Sequence, residues 1–188
     1  MAKVILIGGS PMTGKTTIAI DISSKLPCAC ISTDDIGVAL QTVIPIDPMR
    51  GKDYRDYYAQ TPLSQLMTDA RQYHQAMSPA INRLIAIHST WGDPLVMEGW
   101  AVYPSLIQSL NHRNVSSIWR IASDALLEQR MMERPDFLKG KAAENYLARS
   151  MRHNRLLLEE CRTRNARCIR IDGNESAVSL AGHILNQI

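Results

Sequence analysis

The sequence predicts an α/β fold in which helices cover both faces of a parallel sheet. Five short apolar runs alternate with longer segments of helical periodicity, which is typical of parallel β–α–β units. The chain has 188 residues, of which 45% are hydrophobic, so it can form one domain with a substantial core. A glycine-rich segment also separates the first predicted strand from the first predicted helix, where a tight turn is needed.

The predicted strands and helices follow from the spacing of apolar residues. Strands are expected at residues 4–7, 29–32, 94–98, 115–121 and 168–171. Helices are expected at residues 16–26, 36–43, 62–89, 103–110, 124–133, 142–164 and 175–186, with Ser123 as the N-cap of the fifth. Pro79 is expected to kink the long helix or to divide it in two. One domain is expected over residues 1–188, with a helical substrate-side insertion at 45–90 after a turn-rich break.

Composition and charge limit the classes of function. The formal net charge of +3 is too small for a dedicated nucleic-acid binder, so a nucleic-acid partner is not expected. The four cysteines lack zinc-type spacing and are expected to be reduced thiols. No apolar run reaches membrane-spanning length, and no signal peptide is recognisable. We therefore expect a cytoplasmic protein, a monomer or a homodimer, whose partner is a small molecule.

The segment between the first strand and the first helix matches a phosphate-binding loop. Gly9, Gly14, Lys15 and Thr16 fit G-x-x-x-x-G-K-[ST] in the strand-to-helix context that the motif needs. Glycines let the backbone wrap around phosphates, and the helix N-terminus attracts the same anion. Lys15 is expected to reach the outer phosphates, and Thr16 is expected to ligate Mg²⁺. The residues expected to bind the nucleotide here are Gly9, Ser10, Pro11, Met12, Thr13, Gly14, Lys15, Thr16 and Thr17.

Acidic residues follow the second and third predicted strands. Ligands of parallel sheets bind outside the carboxyl ends of the strands, where these residues fall. Asp34 is expected to accept a proton from a hydroxyl or to hold water on Mg²⁺, while it or Asp35 could instead cap the next helix. Glu98 ends the third predicted strand, where P-loop proteins place an acidic residue near the bound metal ion. It could instead reach a substrate hydroxyl or face solvent. Gly99 and Trp100 extend this predicted substrate-binding edge.

Arginines are candidates for binding anionic groups. Arg149 and Arg152 lie three residues apart on a predicted helix, where they could bind substrate or form a solvated basic face with glutamates. Arg50 and Arg55, in the insertion, could bind an acidic substrate or lie in a solvated loop. Their guanidinium groups suit phosphate and carboxylate oxygens.

Several segments together resemble the small P-loop kinases. These are GGSPMTGKTT, ISTDD and VMEGW, with Arg130 and Arg134 one helical turn apart before a loop. That group includes shikimate, gluconate, adenylate and polynucleotide kinases, chloramphenicol phosphotransferase and zeta toxins. The sequence is most similar to 2-phosphoglycerate-kinase-like proteins, which have a similar S-T-D and E-G pairing. The resemblance implies a five-stranded sheet in the order 2-3-1-4-5, a lid at residues 130–150, and ATP with Mg²⁺ as the phosphoryl donor.

The resemblance also implies roles for individual residues. Asp34 falls on the general base of polynucleotide kinases, Arg130 on an arginine that packs on adenine, and Arg134 on a lid arginine that contacts phosphates. Gly37 and Val38 stand where polynucleotide kinases often have a basic residue, which disfavours a nucleic-acid 5′ end as the acceptor. The turn that resembles the adenine-contacting one is Asp172, Gly173 and Asn174.

These observations lead to one main hypothesis and two alternatives. The main hypothesis is ATP-dependent phosphoryl transfer to a hydroxyl of a small, anionic metabolite, with catalysis by Lys15, Asp34, Glu98 and Arg134. Mg²⁺ would be held by Thr16 with Asp34 or Glu98. One alternative is a nucleotide-binding switch or ATPase that uses residues 45–89 as a protein interface. The other is a nucleoside or nucleotide kinase, which differs only in its acceptor.

Overall fold

A parallel sheet of five strands forms the centre of the protein. The computed structural model describes residues 3–108, 112–173 and residue 182. The strands are β1 Val4–Gly9, β2 Ala29–Ser32, β3 Leu95–Gly99, β4 Val115–Ala122 and β5 Cys168–Ile171. They lie in the order β2-β3-β1-β4-β5, and all neighbours are parallel. The predicted α/β class and the implied strand order are therefore confirmed.

Helices cover both faces of this sheet. The helices of the described residues are α1 Lys15–Lys25, α2 Thr33–Leu40, α3 Tyr54–Gln60, α4 Leu63–Thr90, α5 Asp124–Met132 and α6 Gly140–Thr163. Alternate residues of β1 face opposite sides, because successive side chains of a strand point to opposite faces. Val4 and Leu6 pack with α4 and α6, whereas Ile5 and Ile7 pack with α1 and α5. Within the part of the chain that the structure describes, no helix combines the length and hydrophobicity that a membrane crossing needs.

The strand register brings the carboxyl ends of four strands to one edge. Gly8 in β1 lies beside Gly99 in β3, and Gly9 lies beside Arg120 in β4. Ser32, the last residue of β2, lies beside Glu98. The segments that follow β1, β2 and β3 therefore begin next to one another.

A third cluster of buried residues lies apart from the two sheet faces. It joins α3 to α6 and to the first turns of α4 through Tyr57, Tyr58, Leu66 and Tyr146. The aromatic rings meet edge to face, with centroids 5.4 Å apart for Tyr57–Tyr58 and 5.1 Å apart for Tyr58–Tyr146. This packing fixes α3 beside the edge where the strands end.

One predicted helix is wrong, and of the two expectations for Pro79 only the division of the helix is excluded; the kink stays a prediction. Residues 103–108 form turns rather than the start of a helix at 103–110. Their backbone groups bond instead to side chains of α4 and α6: Asn82 Nδ2 donates to the Leu106 carbonyl over 2.6 Å, and the Ser105 N–H donates to Glu160 Oε2 over 3.0 Å. Pro79 does not divide α4, whose buried residues on both sides of it pack against the sheet. The predicted helix 175–186 lies outside the described residues, except for residue 182.

Two histidines are buried where α4 and α6 face each other. The ring centroids of His74 and His153 are 6.2 Å apart, and His74 also contacts Trp100 at 4.4 Å. His153 Nε2 donates to the Trp100 carbonyl over 3.2 Å, whereas neither nitrogen of His74 has a partner among the described residues. Burial lowers the pKa of His74 to about 3 and holds the pKa of His153 well below its usual range. Both rings are therefore neutral at neutral pH.

Acidification should destabilise the protein through these two histidines. A histidine with an ordinary pKa near 6.5 in the unfolded chain takes up a proton below that pH, whereas the buried ring does not. The unfolded state then binds more protons, so the free energy of unfolding should fall by about 2 kcal/mol per histidine between pH 7 and pH 5. Urea unfolding at the two pH values measures this change.

The His74→Phe variant isolates the contribution of one ring. It keeps the aromatic contacts but removes the titrating group, so its loss of stability between pH 7 and pH 5 should be smaller by about 2 kcal/mol. An equal loss in the variant and the parent would contradict the burial of a neutral His74.

Candidate active site

The phosphate-binding loop connects β1 to α1 at the centre of the sheet edge. Gly14 is the N-cap of α1 and has φ 76°, a left-handed conformation that glycine adopts without strain. None of the described side chains caps this helix, so its first backbone N–H groups are available to an anion. Thr13 Oγ1 donates to the Ser10 carbonyl over 2.8 Å, which closes the loop on itself.

Lys15 is a buried cation at the start of α1. Its side chain lies against the loop, and Nζ donates to the Ser10 carbonyl over 2.8 Å. Burial lowers the pKa of Lys15 to about 8, while the carboxylates of Glu98 and Asp34 act in the opposite direction. The ammonium group is therefore mostly charged at neutral pH and lies where it could bind phosphate oxygens.

Thr16 and Glu98 form a pair of oxygen donors beside Lys15. Thr16 Oγ1 donates to Glu98 Oε1 over 3.0 Å, although the residues belong to α1 and to the end of β3. Glu98 is buried, because it lies beside Ile7 in the β1–β3 ladder. A hydroxyl and a carboxylate are the hard oxygen ligands that Mg²⁺ prefers, so these two residues could hold that ion.

Asp34 reaches the same edge from the first turn of α2. The N-cap of α2 is Ser32, whose Oγ accepts from the Asp34 N–H over 3.2 Å, so the prediction of an aspartate cap is wrong. The Asp34 side chain is free of that structural role. Its Oδ1 accepts instead from Trp100 Nε1 over 2.8 Å. This bond fixes one carboxylate oxygen and leaves the other for a substrate hydroxyl.

Gly99 allows this edge to be so close-packed. Its φ is 151°, and a Cβ there would lie 1.7 Å from Thr33 Oγ1. Any side chain at position 99 would therefore separate the end of β3 from the start of α2. The close approach places Trp100 within reach of Asp34.

A cavity of about 310 Å³ opens beside the phosphate-binding loop. Pro11, Lys15, Thr16, Asp34 and Glu98 line one part of it. The rest is largely an aromatic wall, by which we mean Tyr54, Tyr57, Tyr58, Tyr73, Trp100 and Tyr146. The wall comes from α3, α4, α6 and the residue after β3. A phosphate site, two carboxylates and an apolar compartment thus share one space.

Arg149 of α6 is a cation in the lining of this cavity. Its side chain is 6% exposed, and Cζ lies 3.9 Å from the ring centroid of Trp100. Its Nε has no hydrogen-bond partner among the residues that the structure describes. Burial lowers the pKa of Arg149 to about 10, so the guanidinium remains charged at neutral pH. The arrangement could bind the acidic group of a ligand.

Two further arginines support the phosphate-binding loop from behind. Arg120 Nε donates to the Thr13 carbonyl over 2.6 Å, and Arg130 Nη1 donates to the Met12 carbonyl over 2.5 Å. Arg120 was not predicted as a site residue, because it lies inside the apolar run of β4. Its presence in that run is the signal that could have identified it, since a buried arginine needs partners.

The structure does not bring every predicted substrate-binding residue to the cavity. Arg50 pairs with the buried Asp69 at 3.0 Å, outside the lining. Arg55 is exposed because Tyr57 and Tyr58 form the inner face of α3. Arg152 is exposed because the buried face of α6 continues from Arg149 to His153 instead.

The remaining predicted residues lie outside the lining of the cavity. Thr17 is exposed on α1, and Arg134 is exposed in the segment 133–139 between α5 and α6. Asp172 and Gly173 follow β5, where Asp172 lines a second cavity of about 420 Å³. Asn174 lies outside the described residues.

Solved structures show which fold these elements form. A gluconokinase from Sinorhizobium meliloti 1021 matches 98% of this chain and 91% of its own, with 17% identity and a TM-score of 0.64. A shikimate kinase from Acinetobacter baumannii, in complex with shikimate, matches 100% of this chain and 93% of its own, with 15% identity and a TM-score of 0.56. A shikimate kinase from Bacteroides thetaiotaomicron matches 98% of this chain and 95% of its own, with 13% identity and a TM-score of 0.54.

The likeness lies in the fold rather than in the sequence. No protein-family model matches the sequence, and no curated protein matches it. The three structures nevertheless agree with this chain over nearly its whole length. The chain therefore has the fold of the small P-loop kinases, which shikimate kinases and gluconokinases share.

Proposed function

We propose that the protein is a kinase that transfers the γ-phosphoryl group of ATP to a hydroxyl of a small acidic molecule. The observation that carries this proposal is the shared cavity, in which Lys15 and Thr16 of the phosphate-binding loop lie beside the carboxylate of Asp34. Such a space allows a phosphate and a hydroxyl to meet next to a base. The fold supports the same class of reaction.

The phosphate side of the cavity suits ATP and Mg²⁺. The uncapped N–H groups of α1 and the ammonium of Lys15 would bind phosphate oxygens, and Thr16 with Glu98 would hold the cation. When bound, Mg²⁺ neutralises charge on the phosphates and orients them. Arg130, with Asp172, Gly173 and Asn174, stays a prediction for the adenine side.

Asp34 is the residue that we assign as the general base. The acceptor oxygen forms a bond to the γ-phosphorus while the bond from that phosphorus to the β–γ bridging oxygen breaks. The hydroxyl proton passes to Asp34, and ADP leaves with the electron pair of the broken bond. The bond from Trp100 to Asp34 Oδ1 would keep the other oxygen directed towards the acceptor.

We assign Arg149 as the residue that binds the acidic group of the acceptor. A buried guanidinium whose Nε lacks a partner gains most from a carboxylate that binds it with two oxygens. The stacking of Arg149 on Trp100 holds the guanidinium plane in place before the acceptor arrives.

We also propose that the segment after α5 is the lid. Phe137 packs on Tyr54 and Tyr146, with ring centroids 5.9 Å and 5.1 Å apart, so this segment already touches the aromatic wall. Arg134, three residues earlier, is exposed and would reach the transferred phosphoryl group when the segment closes.

The position of residues 45–90 favours an enzyme over a partner-coupled switch. Tyr57 and Tyr58 of α3 are buried, Tyr54 is half-buried, and all three line the cavity. A protein interface would instead present such rings on the outer surface.

The first test is ADP formation from ATP in the presence of hydroxylated small molecules, with and without Mg²⁺. The panel includes hydroxy acids, sugar acids, nucleosides and nucleotides. Strong stimulation by one class, dependent on Mg²⁺, supports a kinase. Slow hydrolysis that no acceptor stimulates contradicts the proposal and favours the switch or ATPase.

Replacement of Asp34 by Asn should abolish transfer but not ATP binding. The variant keeps the shape and the Trp100 contact but cannot take the proton, so kcat should fall by roughly 10²–10⁴-fold. ATP affinity, measured by calorimetry, should stay within about twofold of the parent value because the phosphate-binding loop is untouched.

The adjacent carboxylate provides a matched control. Asp35 is exposed and lies outside the cavity lining, so Asp35→Asn should retain the turnover of the parent. Undiminished turnover of Asp34→Asn would remove Asp34 from its role as the base.

Replacement of Arg149 by Lys should weaken the binding of acidic acceptors. Lysine keeps a charge but lacks the planar fork, so the KM for an acidic acceptor should rise at least about tenfold while the KM for ATP changes little. The KM for a neutral analogue, in which an amide replaces the acid, should change far less. Arg155→Lys, on an exposed position of the same helix, is the control. Equal losses for the acid and the amide would contradict the assignment.

A further inference from the structure

Most tyrosines of the aromatic wall interact with other side chains of the protein as well as lining the cavity. The Tyr57 hydroxyl donates to Asp69 Oδ2 over 3.1 Å. Tyr54 and Tyr146 lie next to each other, with ring centroids 6.5 Å apart, and their side chains interact. The Tyr73 hydroxyl accepts from Gln41 Nε2 over 3.3 Å. Four of the five tyrosines thus interact with other side chains, and the hydroxyls of two of them, Tyr57 and Tyr73, are hydrogen-bonded.

The rings are also fixed before any ligand binds. Tyr54 and Tyr58 meet edge to face with centroids 4.9 Å apart, and Tyr58 meets Tyr146 in the same way. Trp100 is held between Asp34, which accepts its N–H, and Arg149, which covers its ring. A preformed wall of this kind binds flat apolar surface at a low entropic cost.

The cavity has few polar groups to offer an acceptor. Lys15, Thr16 and Glu98 belong to the phosphate side, which leaves Asp34 for one hydroxyl and Arg149 for one acidic group. The other polar side chains of the lining are Gln41 and the tyrosines. A molecule with four or five hydroxyls would lose water from most of them without gaining an equal number of partners, which weakens its binding. The volume of about 310 Å³ is near the lower end for ligand pockets, which suits a single ring.

We propose, building on the kinase function above, that the acceptor is a hydroxy acid with an aromatic ring rather than a polyhydroxylated sugar acid or cyclitol acid. Its ring lies against the aromatic wall, its carboxylate binds Arg149, and its hydroxyl points at Asp34. The observation that carries this inference is the aromatic lining of the cavity, in which the hydroxyls of Tyr57 and Tyr73 are hydrogen-bonded to the protein.

The packing of Tyr73 on α2 provides a second argument. A Cβ at Gly37 would lie 2.1 Å from the Tyr73 hydroxyl oxygen and 3.3 Å from Met77 Cε. The tyrosine therefore occupies the space that a side chain at position 37 would need. Because Gly37 has no side chain, the Tyr73 ring can occupy this part of the lining. A larger polar residue at position 37 would displace the ring and could bind a polar acceptor.

The test compares two classes of acids as acceptors for ATP and Mg²⁺. The aryl class is mandelate, 3-phenyllactate, 4-(hydroxymethyl)benzoate and 4-hydroxyphenylacetate, and the polyhydroxylated class is gluconate, glycerate, shikimate and quinate. Mass spectrometry identifies the phosphorylated acid, and ADP formation gives the rate. The best aryl acid should have a kcat/KM at least about 100-fold above that of the best polyhydroxylated acid. Phenylacetate, which lacks the hydroxyl, should inhibit competitively with the aryl acceptor.

The outcomes separate this inference from the kinase proposal. A polyhydroxylated acid as the best acceptor overturns the inference and supports the kinase function. Phosphorylation of neither class, with no inhibition by phenylacetate, overturns the inference; it overturns the kinase function as well only if no member of the wider panel stimulates ADP formation.

Two variants of Tyr73 separate the ring from its hydroxyl. The residue is partly exposed, so neither Tyr73→Phe nor Tyr73→Asn removes a core side chain. The KM for the aryl acid should be at least about tenfold higher in Tyr73→Asn than in Tyr73→Phe, because only phenylalanine retains the ring surface. An equal KM in the two variants overturns the role of the ring.

A second aromatic residue at the end of α4 serves as the control. Trp91 is 78% exposed and lies outside the cavity lining, so Trp91→Ser should leave the KM for the aryl acid and the KM for ATP unchanged.

Gly37→Ala should raise the KM for the aryl acid without changing the KM for ATP, because the new methyl group displaces the Tyr73 ring.

Discussion

The register between β1 and β3 is the constraint on which the site depends. Glu98 lies beside Ile7, so the carboxylate ends up next to the first residues of α1 and bonds to Thr16. A shift of one residue would turn Glu98 to the opposite face of the sheet. The two apolar faces of the sheet fix this register, since alternate residues of β1 are buried in different cores.

Much of the fold could be predicted because its signals are local. The limits of β2 and β5 agree with the predicted runs, and the N-cap role of Ser123 is confirmed by its bond from the Leu126 N–H. The segment 103–108 could not be predicted in this way. Its backbone groups are satisfied by Asn82 and Glu160, which are distant in sequence, and helical periodicity carries no information about such partners.

The candidate site likewise contains some residues that local sequence signals indicate and others that only tertiary packing brings together. Lys15, Thr16 and Glu98 belong to short motifs at strand ends, so the sequence alone indicates them. The aromatic wall depends on how α3, α4 and α6 pack. So does the burial of Arg149, whose Nε has no hydrogen-bond partner among the described residues. A run of arginines gives no indication of which member is buried: Arg149 lines the cavity, whereas Arg152 is exposed one turn away. That choice follows from tertiary contacts rather than from spacing.

The two halves of the site are built on different parts of the chain. The phosphate-binding loop, Asp34 and Glu98 lie at or just after the ends of strands, whereas most of the aromatic wall comes from the helices α3, α4 and α6. If the protein is the kinase proposed above, substitutions on α3 and at Tyr73 would reshape the acceptor compartment without moving the groups that bind phosphate. The proposed function would then make this scaffold suitable for redesign towards new acceptors, because the reaction chemistry and the selection of the acceptor could be altered independently.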